Sequence, residues 1–331
     1  MAILAAPGND IPLAPERMDG YRAFANKLWN ASRFVLMKLG DRAPGPLPEP
    51  ARLSRVDRWI LSSSARVAAT VDRALEEFRF DRAADALYHF VWGSFCDWYI
   101  ELVKADLQSH GTRGDSARAV LLHVLSRILR SLHPFMPVLT EELWSKLPGT
   151  DGFVAVAPWP AVDREWLDDG VEADVALLQE VIGKIRNLRA ESRIDAGKKI
   201  DVLVRTEEPH AAAVLGDERD RIASLVRAAS VEVVERFEGD LVAARGVAGG
   251  CELAIPLAGV LDLDAERARL ARDLAKLDGD IRAREKKLAN RGFLDKAPPE
   301  VVDKERAVHA DLVEKRDRVR AGLATLGTET S

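Results

Sequence analysis

The chain has 331 residues, of which 47% are hydrophobic and 31% charged, with a formal net charge of −5. That length accommodates two or three domains with cores of their own, and that composition excludes a disordered chain. The acidic balance excludes a uniformly basic nucleic-acid coat but leaves local basic patches open, and no apolar run is long enough to cross a membrane.

In chain order, the first strong signal is residues 22–39, RAFANKLWNASRFVLMKL, which predict a helix with two unlike faces. At about 100° per residue, Phe24, Leu28, Ala31, Val35 and Leu39 share a core-facing stripe, and Arg22, Asn26, Asn30 and Arg33 gather opposite. Trp29 and Phe34 fall on the borders. Asparagine is a mediocre helix former, so two of them beside two arginines are unusual on a face that meets only water. Amide, guanidinium and aromatic groups contact phosphates and stack on unpaired bases. A plain solvated face is the competing reading.

The Pro/Gly-rich stretch 41–54 reads as a connector. Helices follow over about 55–78, from an N-cap at Asp81 to about 107, over about 116–132, and over about 139–147 after Pro134 and Pro137. The aromatics of the second of these, Tyr88, Phe90, Trp92, Phe95, Trp98 and Tyr99, read as core. Short connections between such helices give an antiparallel helical bundle over 21–147. Residues 148–261 read as a small α+β unit. FVAVAPWP (153–160) is extended there, helices run over about 172–190 and 211–228, and strands over 199–205, 231–236 and 251–257.

From residue 262 to 327 the pattern changes to heptads. Leu263, Leu270, Leu274, Leu277, Ile281 and Leu288 mark one seam, and Val301, Val308, Leu312, Val319 and Leu326 a second. Joined across a Gly/Pro-containing turn, they predict an antiparallel coiled-coil hairpin about 45 Å long. Its tip is cationic, with Arg282, Arg284, Lys286, Lys287, Arg291 and Lys296 against Glu285 and Asp295. Arg267 and Arg284 occupy seam positions and are expected to weaken the seam locally. The expected fold class is thus mainly α: an antiparallel helical bundle, a small α+β unit and a C-terminal antiparallel coiled-coil hairpin.

Catalytic signatures are missing from this picture. None of the six histidines sits in a phosphate-handling turn, and there is no lysine–serine loop or phosphate-cradling glycine loop. Cys96 and Cys251 lack metal-spaced partners and read as reduced thiols. The residues therefore point to no catalytic group, no metal and no cofactor in this chain, and to RNA binding instead.

Four segments carry a resemblance: the opening helix, FRFDRAADALYHFVWGSFCDWYIEL (78–102), HPFMPVLTEELWSKLP (133–148) and GFLDKAPPEVVDKER (292–306). In this order they resemble the C-terminal part of class I aminoacyl-tRNA synthetases of the valine type. The resemblance implies an anticodon-binding bundle, a coiled-coil arm that embraces tRNA, and a leader at 1–20 that follows a catalytic domain missing from this chain. It places Arg22, Asn26, Lys27, Asn30, Arg33 and Phe34 against the anticodon stem-loop. It also points to Arg186, Arg189 and Arg193 on one helix flank, and to Arg284, Lys286, Lys287 and Arg291 at the arm tip. The implied partners are tRNA-Val and the catalytic half, in cis or in trans, with ATP used by that half. A cytoplasmic monomer without membrane contact is expected. A free-standing tRNA-binding module and a coiled-coil interaction protein are the alternatives.

Overall fold

Helix α1 (Pro15–Leu39) opens the fold, reaching back into the expected leader. The computed structural model describes residues 15–40, 45–109, 111–237, 241–260, 263–290, 292 and 298–326. Two compact units divide after Ala176.

In the first unit, Phe24, Leu28, Ala31, Val35 and Leu39 of α1 are all buried. They face α5 (Thr112–Leu132), α6 (Pro137–Trp144) and a π-helical segment (Phe90–Tyr99). That segment joins α3 (Phe80–His89) to α4 (Ile100–Gln108). The helix expected over 81–107 is therefore continuous in sequence but widened in its middle, where the Ile100 N–H reaches back five residues to the Phe95 carbonyl. Phe90, Phe95 and Tyr99 are buried at spacings of five and four, matching the wider winding. Tyr88, Trp92 and Trp98 are only half-buried, so the aromatic run is not all core.

The N-cap expected at Asp81 is instead Arg79, with the helix beginning at Phe80. The Asp81 carboxylate accepts both Arg79 nitrogens, at 2.9 and 2.6 Å. That guanidinium holds its carboxyl down to about 2. Helix α2 (Arg55–Glu76) starts on a capping box, in which Ser54 Oγ accepts the Asp57 N–H and Asp57 accepts the Ser54 N–H. The Tyr99 hydroxyl donates to the same buried carboxylate at 2.7 Å, which ties the end of the π-helical segment to α2. Burial pushes the Asp57 carboxyl up.

Residues 148–176 pack with the bundle. Buried Arg127 donates to Asp163 at 2.6 Å and to the Ala161 carbonyl at 2.6 Å, and Trp159 Nε1 donates to Asp72 at 2.8 Å. FVAVAPWP is not extended throughout, because Val154–Val156 forms a 3₁₀ turn with Val154 buried. Among the described residues no helix is long and apolar enough to cross a membrane.

Helix α7 (Asp169–Glu191) continues from the first unit into the second. The second unit holds a four-stranded sheet in the order β2 (Ala228–Val234), β1 (Ile200–Arg205), β4 (Cys251–Pro256), β3 (Ala243–Ala248). β1 and β2 run parallel, and both β1–β4 and β3–β4 are antiparallel. The crossover from β1 to β2 is two helices rather than the single one expected, α8 (Pro209–Asp217) and α9 (Arg219–Val226), broken at Glu218. β3 was not expected: Ala-Ala-Arg-Gly-Val-Ala has no β-branched alternation, and its strand form comes from the ladder to β4. Gly249 and Gly250 turn that hairpin with φ of +57° and +71°, the backbone a two-residue turn needs. At Gly246 the strand lies against α7, where the end of the Lys184 side chain occupies the place a Cβ would take.

The arm is formed by α10 (Leu263–Ala289) and α11 (Pro299–Leu326), packed side by side. Ile281 and Val302 are buried, and Leu270, Leu274, Leu277, Leu288, Leu312 and Val319 half-buried. Val301, expected in the seam, is 41% exposed, and its neighbour Val302 takes the place. From Val302 the heptad runs through Glu305, His309, Leu312, Arg316 and Val319, so the second helix contributes polar groups to the seam. Arg284 does not leave a defect there, because Glu305 of α11 pairs with it.

Candidate nucleic-acid interface

The exposed face of α1 is built as the helical spacing requires. Arg22, Asn26, Asn30 and Arg33 are all exposed, a line of side chains about one turn apart. Among the described residues Arg22 makes a loose 3.9 Å contact with Asp19, and both side chains stand largely in solvent. Trp29 borders the face at 37% exposure. Phe34, on the other border, is half-buried between two cations, with Lys38 Nζ 5.6 Å and Lys104 Nζ 5.9 Å from its ring centroid. The surface thus offers amides, guanidiniums and an aromatic ring flanked by positive charge.

Lys27 sits differently from the residues it was grouped with. Its ammonium lies 4.0 Å from the Trp92 ring centroid and pairs with Asp97, and its side chain is 25% exposed. Phe24 packs at a tilt on Tyr88, which stacks on Trp92, with centroids 5.1 and 5.8 Å apart. Nothing in the linear sequence indicated that Trp92 and Asp97 meet α1, nor that Lys104 reaches Phe34. Those contacts join segments far apart in the chain.

The flank expected on α7 does not form as one surface. Arg189 is buried and donates to the carbonyls of Val226, Arg227, Asp195 and Lys198, the last two at 2.9 Å. It closes the C-terminal end of α9 and the turn before β1, and a guanidinium spent on backbone oxygens is not offered to phosphate. Arg193 lies beyond the end of α7, exposed, with φ of +52°. Arg186 is exposed and donates to the Leu225 carbonyl at 3.3 Å. Only Arg186 and Arg193 of the three remain at the surface.

At the arm tip, Arg284 and Lys287 both pair with Glu305, the lysine at 2.7 Å. Lys286 is exposed, and Arg291 and Lys296 lie outside the described residues. The cationic cluster is therefore partly neutralised from across the hairpin. Among the described residues no group of three His, Cys, Asp or Glu side chains could hold a metal. Burial pushes the Cys96 thiol up to about 12, so it stays protonated.

In chain order the described residues form a helical bundle with an amide- and arginine-bearing face, an α+β unit and a helical arm. Two family models match the chain: the anticodon-binding domain of tRNA ligase over residues 57–204, and the valyl tRNA synthetase tRNA binding arm over 262–327. The chain belongs with the valine–tRNA ligases, as a part that fits their C-terminal portion. The valine–tRNA ligase of Syntrophotalea carbinolica is 41% identical over 330 residues, and that of Geobacter sulfurreducens 41% over 328; each alignment takes in 98% of this chain. The Bacillus subtilis enzyme is 35% identical over 327 residues. The chain spans 37% of the length of each of these relatives. α1 precedes the first matched region but lies inside the stretch shared with the relatives.

Proposed function

We propose that this chain holds tRNA-Val for aminoacylation with valine, through the exposed face of α1 and through the arm. The ATP-dependent chemistry belongs to a catalytic part of the ligase outside this chain, acting in cis or in trans. The observation that carries the reading is the α1 face: two asparagines and two arginines exposed in line, beside a ring flanked by two lysines, inside a sequence shared with valine–tRNA ligases. Remote contacts of this kind contribute by orienting the acceptor end at a distant active site. Arg22, Asn26, Asn30, Arg33 and Phe34 form the bundle contact, Arg186 and Arg193 add surface cations, and Lys286 with Arg291 extends the contact to the arm tip. The working state is a cytoplasmic monomer.

The test is direct binding of the purified 331-residue chain to tRNA-Val and to a non-cognate tRNA over a salt series. Preference for tRNA-Val supports the reading, and absence of any complex in dilute buffer sinks it.

A further inference from the structure

Lys27 carries a charge on the helix proposed to meet RNA, yet its environment is that of a fastener. The ammonium lies over the Trp92 ring and against the Asp97 carboxylate, both on the π-helical segment packed beside α1. In an α-helix, residues five apart point about 140° away from each other. Winding with i→i+5 bonds closes that angle to about 50°. The widened segment is thus what turns Trp92 and Asp97 toward one cation. Tyr88 stacks on Trp92 with ring planes 27° apart, and the Tyr99–Asp57 bond anchors the segment's far end to α2. A cation matched by a carboxylate and a ring has little left for phosphate.

We propose that Lys27 is a positioning residue: clamped between Trp92 and Asp97, it fixes the rotation of α1 so that Asn26, Asn30 and Arg33 face outward together. This rests on the RNA-binding reading of that face. The clamp itself is independent of RNA, because it joins two protein elements.

The experiment uses the full chain with Lys27→Met, Asp97→Asn, both together, and Lys27→Arg. Amide hydrogen exchange along α1 reads the clamp, and tRNA-Val affinity over a KCl series reads its consequence. Lys27→Met and Asp97→Asn are each expected to speed α1 exchange and to weaken tRNA binding about three- to tenfold. The salt slope is expected to stay unchanged, the double variant to be little worse than either single one, and Lys27→Arg to keep near-native behaviour. A lysine that touched phosphate would behave oppositely. Its loss would lower the slope by about 0.7 to 0.9, and Asp97→Asn would tighten binding by freeing the ammonium. Either result overturns the proposal, as does unaltered α1 exchange in Lys27→Met. Exchange decides the clamp even if the chain binds no tRNA, an outcome that would remove the functional reading separately.

Discussion

Arg284 of α10 and Glu305 of α11 face each other across the arm, and Lys287 reaches the same carboxylate at 2.7 Å. The two cations, Lys287 first, hold the Glu305 carboxyl below its usual range. One acid thus joins the helices and engages two of the six cations of the tip. Glu305→Gln is expected to strengthen tRNA binding about two- to fivefold at low salt, by removing one negative charge from beside the cationic tip. Weaker or unchanged binding, with the arm still helical by circular dichroism, would show that the tip does not meet RNA.

Replacing Asn26, Asn30 and Arg33 together with alanine removes the centre of the α1 face while leaving its buried stripe intact. Helicity should be preserved or slightly raised, since alanine is the better helix former. Affinity for tRNA-Val should fall at least about tenfold, as three direct polar contacts are lost. Native affinity in the triple variant would remove the bundle contact from the proposal.

Ending the chain before Asp262 deletes the arm. The shortened protein should bind tRNA more weakly and with a flatter dependence on salt, because fewer phosphate contacts release fewer counterions. Parallel log–log plots for the two lengths would count against an arm contact.

Arg189→Ala and Arg186→Ala separate a structural arginine from a surface one. Removing Arg189 takes a buried side-chain donor from four backbone carbonyls, of which Asp195 keeps the Lys198 N–H, and is expected to cost about 2–4 kcal/mol in chemical denaturation. Removing Arg186, an exposed side chain that donates to the Leu225 carbonyl at 3.3 Å, should cost about 1 kcal/mol or less. Equal losses would contradict the assignment.

His123, half-buried on α5, is pushed down to about 4, mainly by burial and then by Arg127. Between pH 6.5 and 4 the unfolded chain binds a proton that the folded bundle refuses. The contribution is complete above the upper limit, and stability declines as pH falls through that window, by about 2–3 kcal/mol at its lower end. Denaturation of His123→Gln across the same range should show a shallower decline. An identical pH profile would mean that the imidazole is not desolvated.

The linear pattern was most legible where one period governs a whole element. The α1 stripe and the heptads of the arm followed from apolar spacing, because burying one face of a helix leaves a repeat that survives in sequence. The exposed α1 face was legible for the same reason, as the complement of the stripe. Reading failed where geometry depends on a distant partner. β3 is a strand only because β4 offers it a ladder, and the α11 seam starts one residue later than expected, at Val302. Charge alone could not separate Arg189, spent on buried carbonyls, from Arg186 and Arg193, whose side chains are exposed.

What the sequence settled by itself was the mainly helical class of the fold, the kind of family and the two-faced character of α1, since each rests on short-range periodicity or on contiguous motifs. Only tertiary structure decided which cations are available. A lysine or arginine is a contact or a fastener according to the carboxylate, ring or carbonyl that packing brings to it. Lys27, Arg189, Arg284 and Lys287 all met such partners from elements remote in the chain.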